Sequence, residues 1–213
     1  MAMDRSEPKI GIFGGTFDPI HLGHLRAAEE VRESLELEEV WFVLSARPPH
    51  KGGFAHAQAE DRWEMLKMAL EGNPHFKPCD MELKREGFSY SIDTVRELQR
   101  TLKAQLFFII GEDAFMEIKT WKEWEKLLGS CNFAVMKRTS RGLTGFLQEL
   151  GYEKITPSEF KNKEGTFLYL VKVTGLEISS TLIRNLVKSG SSIRYLVPDR
   201  VRKYILEKGL YRS

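Results

Sequence analysis

Short apolar runs alternate with stretches of helical period along most of this chain, and few architectures accept that alternation. Lys9 to Phe13 reads as a strand, and Leu22, Leu25, Ala28, Val31 and Leu35 then recur at helical spacing. Val40 to Leu44 is a second strand, and Ser45 to Gly53, with two prolines and two glycines, is a loop. Trp63, Leu66, Ala69 and Leu70 mark a helix that stops near Gly72-Asn73-Pro74. Phe76 to Leu83 is a strand weakened by Pro78, which moves it toward an edge or a bulge. Ser91 is placed to cap a helix carrying Ile92, Val95, Leu98 and Leu102.

Gln105 to Ile110 is the central strand. Trp121, Trp124, Leu127 and Leu128 give the next helix, with Trp121 on its packed face, and "NFAVM" gives a strand. Ser140 to Glu164 is mixed, with a helix at Gly145 to Leu150; "TFLYLVKV" is the last strand, and helices near Thr181 to Lys188 and Asp199 to Lys208 close the chain. Strands alternating with helices at this spacing predict an α/β fold, a doubly wound parallel sheet with a small C-terminal helical portion. The length, 213 residues, suits one domain spanning 1–213. Ligands in such sheets bind at the carboxyl ends of the strands.

The formal net charge is +2, which excludes a general nucleic-acid or membrane-surface binder. An anion site must therefore be built from a few aimed groups. Cys79 and Cys131 lie far apart without CxxC spacing, so reduced thiols in the cytoplasm are expected. The start, "MAMDRSEPK", has no apolar core of a signal peptide, and no run is long enough to span a membrane.

Against that ordinary background "FGGTFDPIHLGH", Phe13 to His24, stands out. Gly14 and Gly15 follow directly on a strand, Thr16 offers a hydroxyl, and Asp18-Pro19 favours a turn. His21 and His24 then open a helix where acids usually sit, with Arg26 just after. Donors at a helix N-terminus suit a polyanion. Half of a zinc site is the competing reading, with Asp18, Cys79 or a distant histidine as third ligand; ordinary surface histidines are the plain one.

"EISSTLIRNLV", Glu177 to Val187, repeats the logic. Ser179 or Ser180 caps the helix, and Arg184 falls in its first turn, against the macrodipole. A capped helix explains the serines but not the arginine. Two such N-termini can hold a nucleoside triphosphate, which points to phosphoryl or nucleotidyl transfer with magnesium on the leaving pyrophosphate. No Ser-His-Asp or Cys-His arrangement calls for a covalent intermediate.

Gly14 to His24 resembles the HxGH signature of the nucleotidyltransferase superfamily, and Ile178 to Arg184 resembles its C-terminal signature. "RPPHK" (Arg47 to Lys51), "ELKREGFSYSIDT" (Glu82 to Thr94), "FIIGEDAF" (Phe108 to Phe115) and "TWKEW" (Thr120 to Trp124) extend the resemblance to the bacterial nicotinate-nucleotide adenylyltransferases, with the Rossmann-like nucleotidyltransferase fold. The resemblance implies ATP and nicotinate mononucleotide as substrates, Mg2+ with the ATP, and deamido-NAD and pyrophosphate as products. It implies that Gly14, Gly15 and Thr16 approach phosphate and that His21 and His24 sit at the reacting centre. Ser179, Ser180, Thr181 and Arg184 would hold the triphosphate. His50 and Lys51 would grip phosphate, Asp113 would contact ribose, and Trp121 would stack on the pyridine, with core packing as its plainer reading. Backbone N–H groups around Ser89, Tyr90 and Ser91 would read the carboxylate. Related transferases acting on nicotinamide mononucleotide or phosphopantetheine, a non-catalytic nucleotide sensor and a zinc hydrolase are the alternatives. No nucleic acid or membrane partner is expected; a homo-oligomer stays open.

Overall fold

A computed structural model describes residues 7–48, 54–137 and 143–212. Its elements follow the expected alternation: β1 (Lys9–Gly15), α1 (Leu22–Leu35), β2 (Glu39–Leu44), α2 (Ala59–Leu70), β3 (Phe76–Cys79), α3 (Ser91–Thr101), β4 (Gln105–Gly111), α4 (Glu112–Met116), a 3-10 turn at Ile118–Thr120, α5 (Trp124–Ser130) and β5 (Asn132–Lys137). After these come α6 (Leu143–Glu149), β6 (Tyr152–Lys154), β7 (Glu159–Asn162), β8 (Phe167–Lys172), α7 (Ser180–Lys188) and α8 (Asp199–Lys208).

Among the described residues eight strands form one sheet in the order β3-β2-β1-β4-β5-β8-β7-β6. The pairs β1–β4, β4–β5 and β5–β8 are parallel, with Ile12 opposite Phe108 and Ile109 opposite Ala134. Leu106 to Ile110 are all buried. An unbroken apolar run is what a parallel strand covered on both faces requires.

The chain divides into two compact units. The first takes the described residues of Met1–Phe13, Glu30–Val40 and Tyr90–Val173; the second takes those of Gly14–Glu29, Trp41–Ser89 and Thr174–Ser213.

Four local expectations change. The sheet does not stay parallel: β6 and β7 pair antiparallel, and β7 pairs antiparallel with β8. They arise within the stretch that had no readable period, because strands this short carry too few residues for an alternation to register. The turn between β7 and β8 is tied by Asn162, whose Oδ1 accepts the Thr166 N–H at 3.0 Å and whose Nδ2 donates to the Leu128 carbonyl at 3.1 Å. The strand from Phe76 ends at Cys79, because Leu83 N–H and Lys84 N–H both turn back to the Asp80 carbonyl; the strand does lie at the sheet edge. Ser91 opens α3 rather than capping it: Tyr90 is the cap and makes no side-chain cap bond. Trp121 lies outside α5, at the end of the 3-10 turn, so it shares no helical face with Trp124 or Leu128.

Candidate functional site

The second unit gathers the phosphate-type motifs around the loop that leaves β1. Gly15 accepts the Ser45 N–H on its carbonyl at 2.8 Å. A Cβ on Gly15 would meet the Phe17 ring at 2.7 Å, so this glycine is required by the ring folded back over it. A Cβ on Gly14 would meet nothing within 4 Å.

His21 ends the loop and His24 lies in the first turn of α1, which carries no acid there. Their rings stack at 3.6 Å between centroids and 25° between planes, and His24 meets the Phe17 ring edge-on at 5.2 Å. The His21 N–H donates to His24 Nδ1 at 3.3 Å. A neutral His24 that accepts at Nδ1 carries its proton on Nε2 and presents a donor there. Gly23 makes the stack fit: a Cβ on it would come within 3.0 Å of the His21 ring and 3.6 Å of the Ile178 carbonyl.

The start of α7 reaches the same loop. Ser179 is the N-cap and accepts the Leu182 N–H at 3.1 Å, while Ser180 Oγ donates to the Pro19 carbonyl at 2.9 Å. Arg184 begins the second turn of α7 rather than sitting in the first. Its side chain runs back toward the helix N-terminus, as long helical side chains do. There Nη1 donates to the Asp18 carbonyl at 2.7 Å and Nη2 to Thr181 Oγ1 at 3.1 Å. The arginine that a cap alone did not explain therefore braces the β1–α1 loop.

Three buried polar groups complete the brace, and sequence reasoning assigned them no such role. Asp18 is 2% exposed; Oδ2 accepts the His56 N–H at 2.7 Å, and Oδ1 accepts the Ala57 N–H at 3.1 Å and the Tyr211 hydroxyl at 2.8 Å. Arg62, 1% exposed, donates to the carbonyls of Ala57 (3.2 Å), Thr16 (2.9 Å), Ser45 (2.7 Å) and Ala46 (3.1 Å). Burial pulls the Arg62 guanidinium below its ordinary range, and the Asp18 charge opposes that shift. Because Asp18 spends both oxygens on these donors, it is a poor third ligand beside the histidines. Among the described residues no group of three His, Cys, Asp or Glu side chains gathers to hold a metal.

Two tyrosines, Tyr211 and Tyr204, give a pH dependence. Burial first, then the Asp18 charge, pushes the Tyr211 hydroxyl far above the usual phenol range. Tyr204, which donates to Asp61 at 2.8 Å, is raised to about 12, by burial first and then by that bond. Above about pH 10 the unfolded chain loses these protons while the folded chain keeps them. The folded state then binds more protons, so stability falls as pH rises. The urea midpoint should hold up to about pH 10 and decline beyond it, and Tyr211→Phe should flatten the decline. A midpoint unchanged between pH 9 and about pH 11 contradicts this.

The remaining expected residues divide. Ser89, in the second unit, exchanges two bonds with Arg47: its N–H donates to the Arg47 carbonyl at 3.0 Å and its Oγ accepts the Arg47 N–H at 3.2 Å. Tyr90, Ser91, Asp113 and Trp121 belong to the first unit. Tyr90 and Ser91 start α3, and the Lys122 ammonium lies 4.5 Å over the Tyr90 ring while bonding Asp93 at 2.9 Å. Asp113 is exposed just past the end of β4. Trp121 is half-buried and sits edge-on to Phe108 at 6.1 Å. His50 and Lys51 lie outside the described residues.

The described donors suit phosphate oxygens: an imidazole stack at a helix start, a guanidinium and the N-terminus of a second helix. Comparison with known proteins agrees with that chemistry. A cytidylyltransferase-like family model matches residues 12–186. A Desulfitobacterium hafniense protein named "Probable nicotinate-nucleotide adenylyltransferase" is 42% identical over 215 positions, covering 100% of both chains. One of the same name from Moorella thermoacetica is 44% identical over 206 positions, covering 96% of this chain and 92% of that one. The fold is shared with Plasmodium falciparum nicotinic acid mononucleotide adenylyltransferase complexed with NaAD, at TM-score 0.76, 19% identity and coverage of 96% and 97%. No helix of the described residues is long and apolar enough to cross a membrane.

Proposed function

Because the chain belongs to the cytidylyltransferase-like family and, within it, to the nicotinate-nucleotide adenylyltransferases, we propose that it transfers the adenylyl group of ATP to nicotinate mononucleotide, giving deamido-NAD and pyrophosphate in NAD biosynthesis. The observation that carries the reading is the donor cradle, His21 stacked on His24 beside a loop that Arg184 and Ser180 hold to the start of α7.

The acceptor's phosphate oxygen attacks the α-phosphorus in line, and the bond to the β,γ-pyrophosphate breaks without a covalent enzyme intermediate. His24, with its Nε2 proton, and His21 donate to phosphate oxygens as charge moves toward the leaving group. Arg184, Ser179, Ser180 and Thr181 serve the triphosphate together with the positive end of α7. Gly14, Gly15 and Thr16 leave backbone close to it. Mg2+ carried by the nucleotide would offset charge on the leaving pyrophosphate; the donor-rich cradle and the spent Asp18 carboxylate fit a cation held by phosphate rather than by protein.

Trp121 stacks on the pyridine and Asp113 meets the ribose, while His50 and Lys51 grip phosphate. Carboxylate reading falls to Tyr90 and Ser91 at the start of α3, since the Ser89 N–H is engaged by Arg47. The enzyme works in the cytoplasm on these two small molecules.

Pyrophosphate release with ATP and magnesium, measured with three acceptors side by side, tests this. Nicotinate mononucleotide should exceed nicotinamide mononucleotide in kcat/KM by about 10–100-fold, the value of one charge-assisted bond. Equal use of both discards the carboxylate assignment. Preference for phosphopantetheine, or no release with any acceptor, discards the substrate reading, the last outcome in favour of a nucleotide sensor.

A further inference from the structure

We infer that Tyr211 is a positioning residue for adenylyl transfer, its hydroxyl holding Asp18 so that Asp18 in turn aims the Arg184 guanidinium and the chain entering His21; this rests on the adenylyltransferase reading. Asp18 has two ends, each with its own tie. Its carboxylate takes the Tyr211 hydroxyl at 2.8 Å, and its carbonyl takes Arg184 Nη1 at 2.7 Å. It also lies three positions before His21. A shift of Asp18 therefore moves the arginine and the imidazole stack together.

The tail is shaped for this task. Helix α8 ends at Gly209 in the left-handed region, φ 65°, and the Leu210 N–H closes the turn on the Ile205 carbonyl at 3.0 Å. Tyr211 itself has φ 63°, a conformation that a bulky L-residue adopts only when its surroundings hold it there. The turned chain carries the ring inward to 9% exposure and brings the hydroxyl within electrostatic reach of Arg184 and Arg62. A residue 193 positions from Asp18 thus bears on the loop where the chemistry is proposed. The remaining carboxylate bonds come from backbone N–H groups, so Tyr211 is the side-chain member of this set that a point substitution can remove.

Tyr204 provides the control. Its hydroxyl donates to Asp61 at the same 2.8 Å within the same unit, but Asp61 is not part of the loop. Wild type, Tyr211→Phe and Tyr204→Phe should be compared well below their melting temperatures for kcat and for KM toward each substrate. Tyr211→Phe is expected to lose about tenfold or more in kcat and to raise KM for ATP, with KM for nicotinate mononucleotide within about twofold. Tyr204→Phe should lose stability alone. Equal kcat in Tyr211→Phe and wild type, or equal loss in both variants, overturns the inference, since a merely structural hydroxyl would act alike at either place. A wild-type protein inactive with every acceptor overturns the adenylyltransferase reading itself, and this inference with it.

Discussion

Replacing His24 by alanine is expected to lower kcat by about 10²–10³-fold while the protein still folds, the cost of losing one preorganised donor at a site of developing charge. The imidazole accepts the His21 N–H, stacks on the His21 ring and meets Phe17 edge-on. Its removal takes away the Nε2 donor and leaves His21 without the ring that orients it. The structural cost is small by comparison, because His24 is only half-buried and water can serve the freed N–H. Activity and stability should therefore separate, with turnover collapsing while the urea midpoint moves little. A variant that turns over at a near-normal rate would remove His24 from the chemistry.

Arg62→Ala is expected to have the opposite signature, a stability loss of about 3–5 kcal/mol. Four carbonyls from the loops after β1, after β2 and before α2 converge on this one guanidinium. Alanine would leave them without their donor, open a void the size of the side chain, and remove the cation that offsets the buried Asp18 charge. Lysine is not a substitute, because three donors on a compact ammonium cannot reproduce a planar fork aimed at four acceptors. Urea titration reads the effect as a fall in midpoint. A loss under about 1 kcal/mol would show that water or a neighbouring side chain replaces the guanidinium.

Arg62 also shows where the sequence stops being readable. In "EDRWEM" it is one charged residue among several on an amphipathic helix, and nothing local separates it from the exposed Lys67 five positions on. Its role depends on three loops arriving at one point, which only the folded chain creates. Tyr211 is hidden for the same reason, since its partner lies near the other end of the chain. Trp121 misled differently: apolar spacing extended the helix backward from Trp124 to Trp121, which instead closes a 3-10 turn that stops short of α5.

What the sequence determined by itself was whatever rests on neighbours along the chain. Apolar runs specified the parallel strands, a glycine pair and two histidines at a helix start marked the cradle, and a serine before "TLIR" set a cap that Ser179 makes. These are short-range effects of backbone hydrogen bonding, side-chain period and helix-end charge, and each is complete within a few residues. The tertiary structure decided which polar groups are buried and who satisfies them. Asp18 changed from a turn former to the node shared by Tyr211 and Arg184, and Arg184, expected at the triphosphate, gained a second part as a brace of the loop. A buried carboxylate or guanidinium is tolerated only with partners in place, and those partners come from wherever the fold brings the chain.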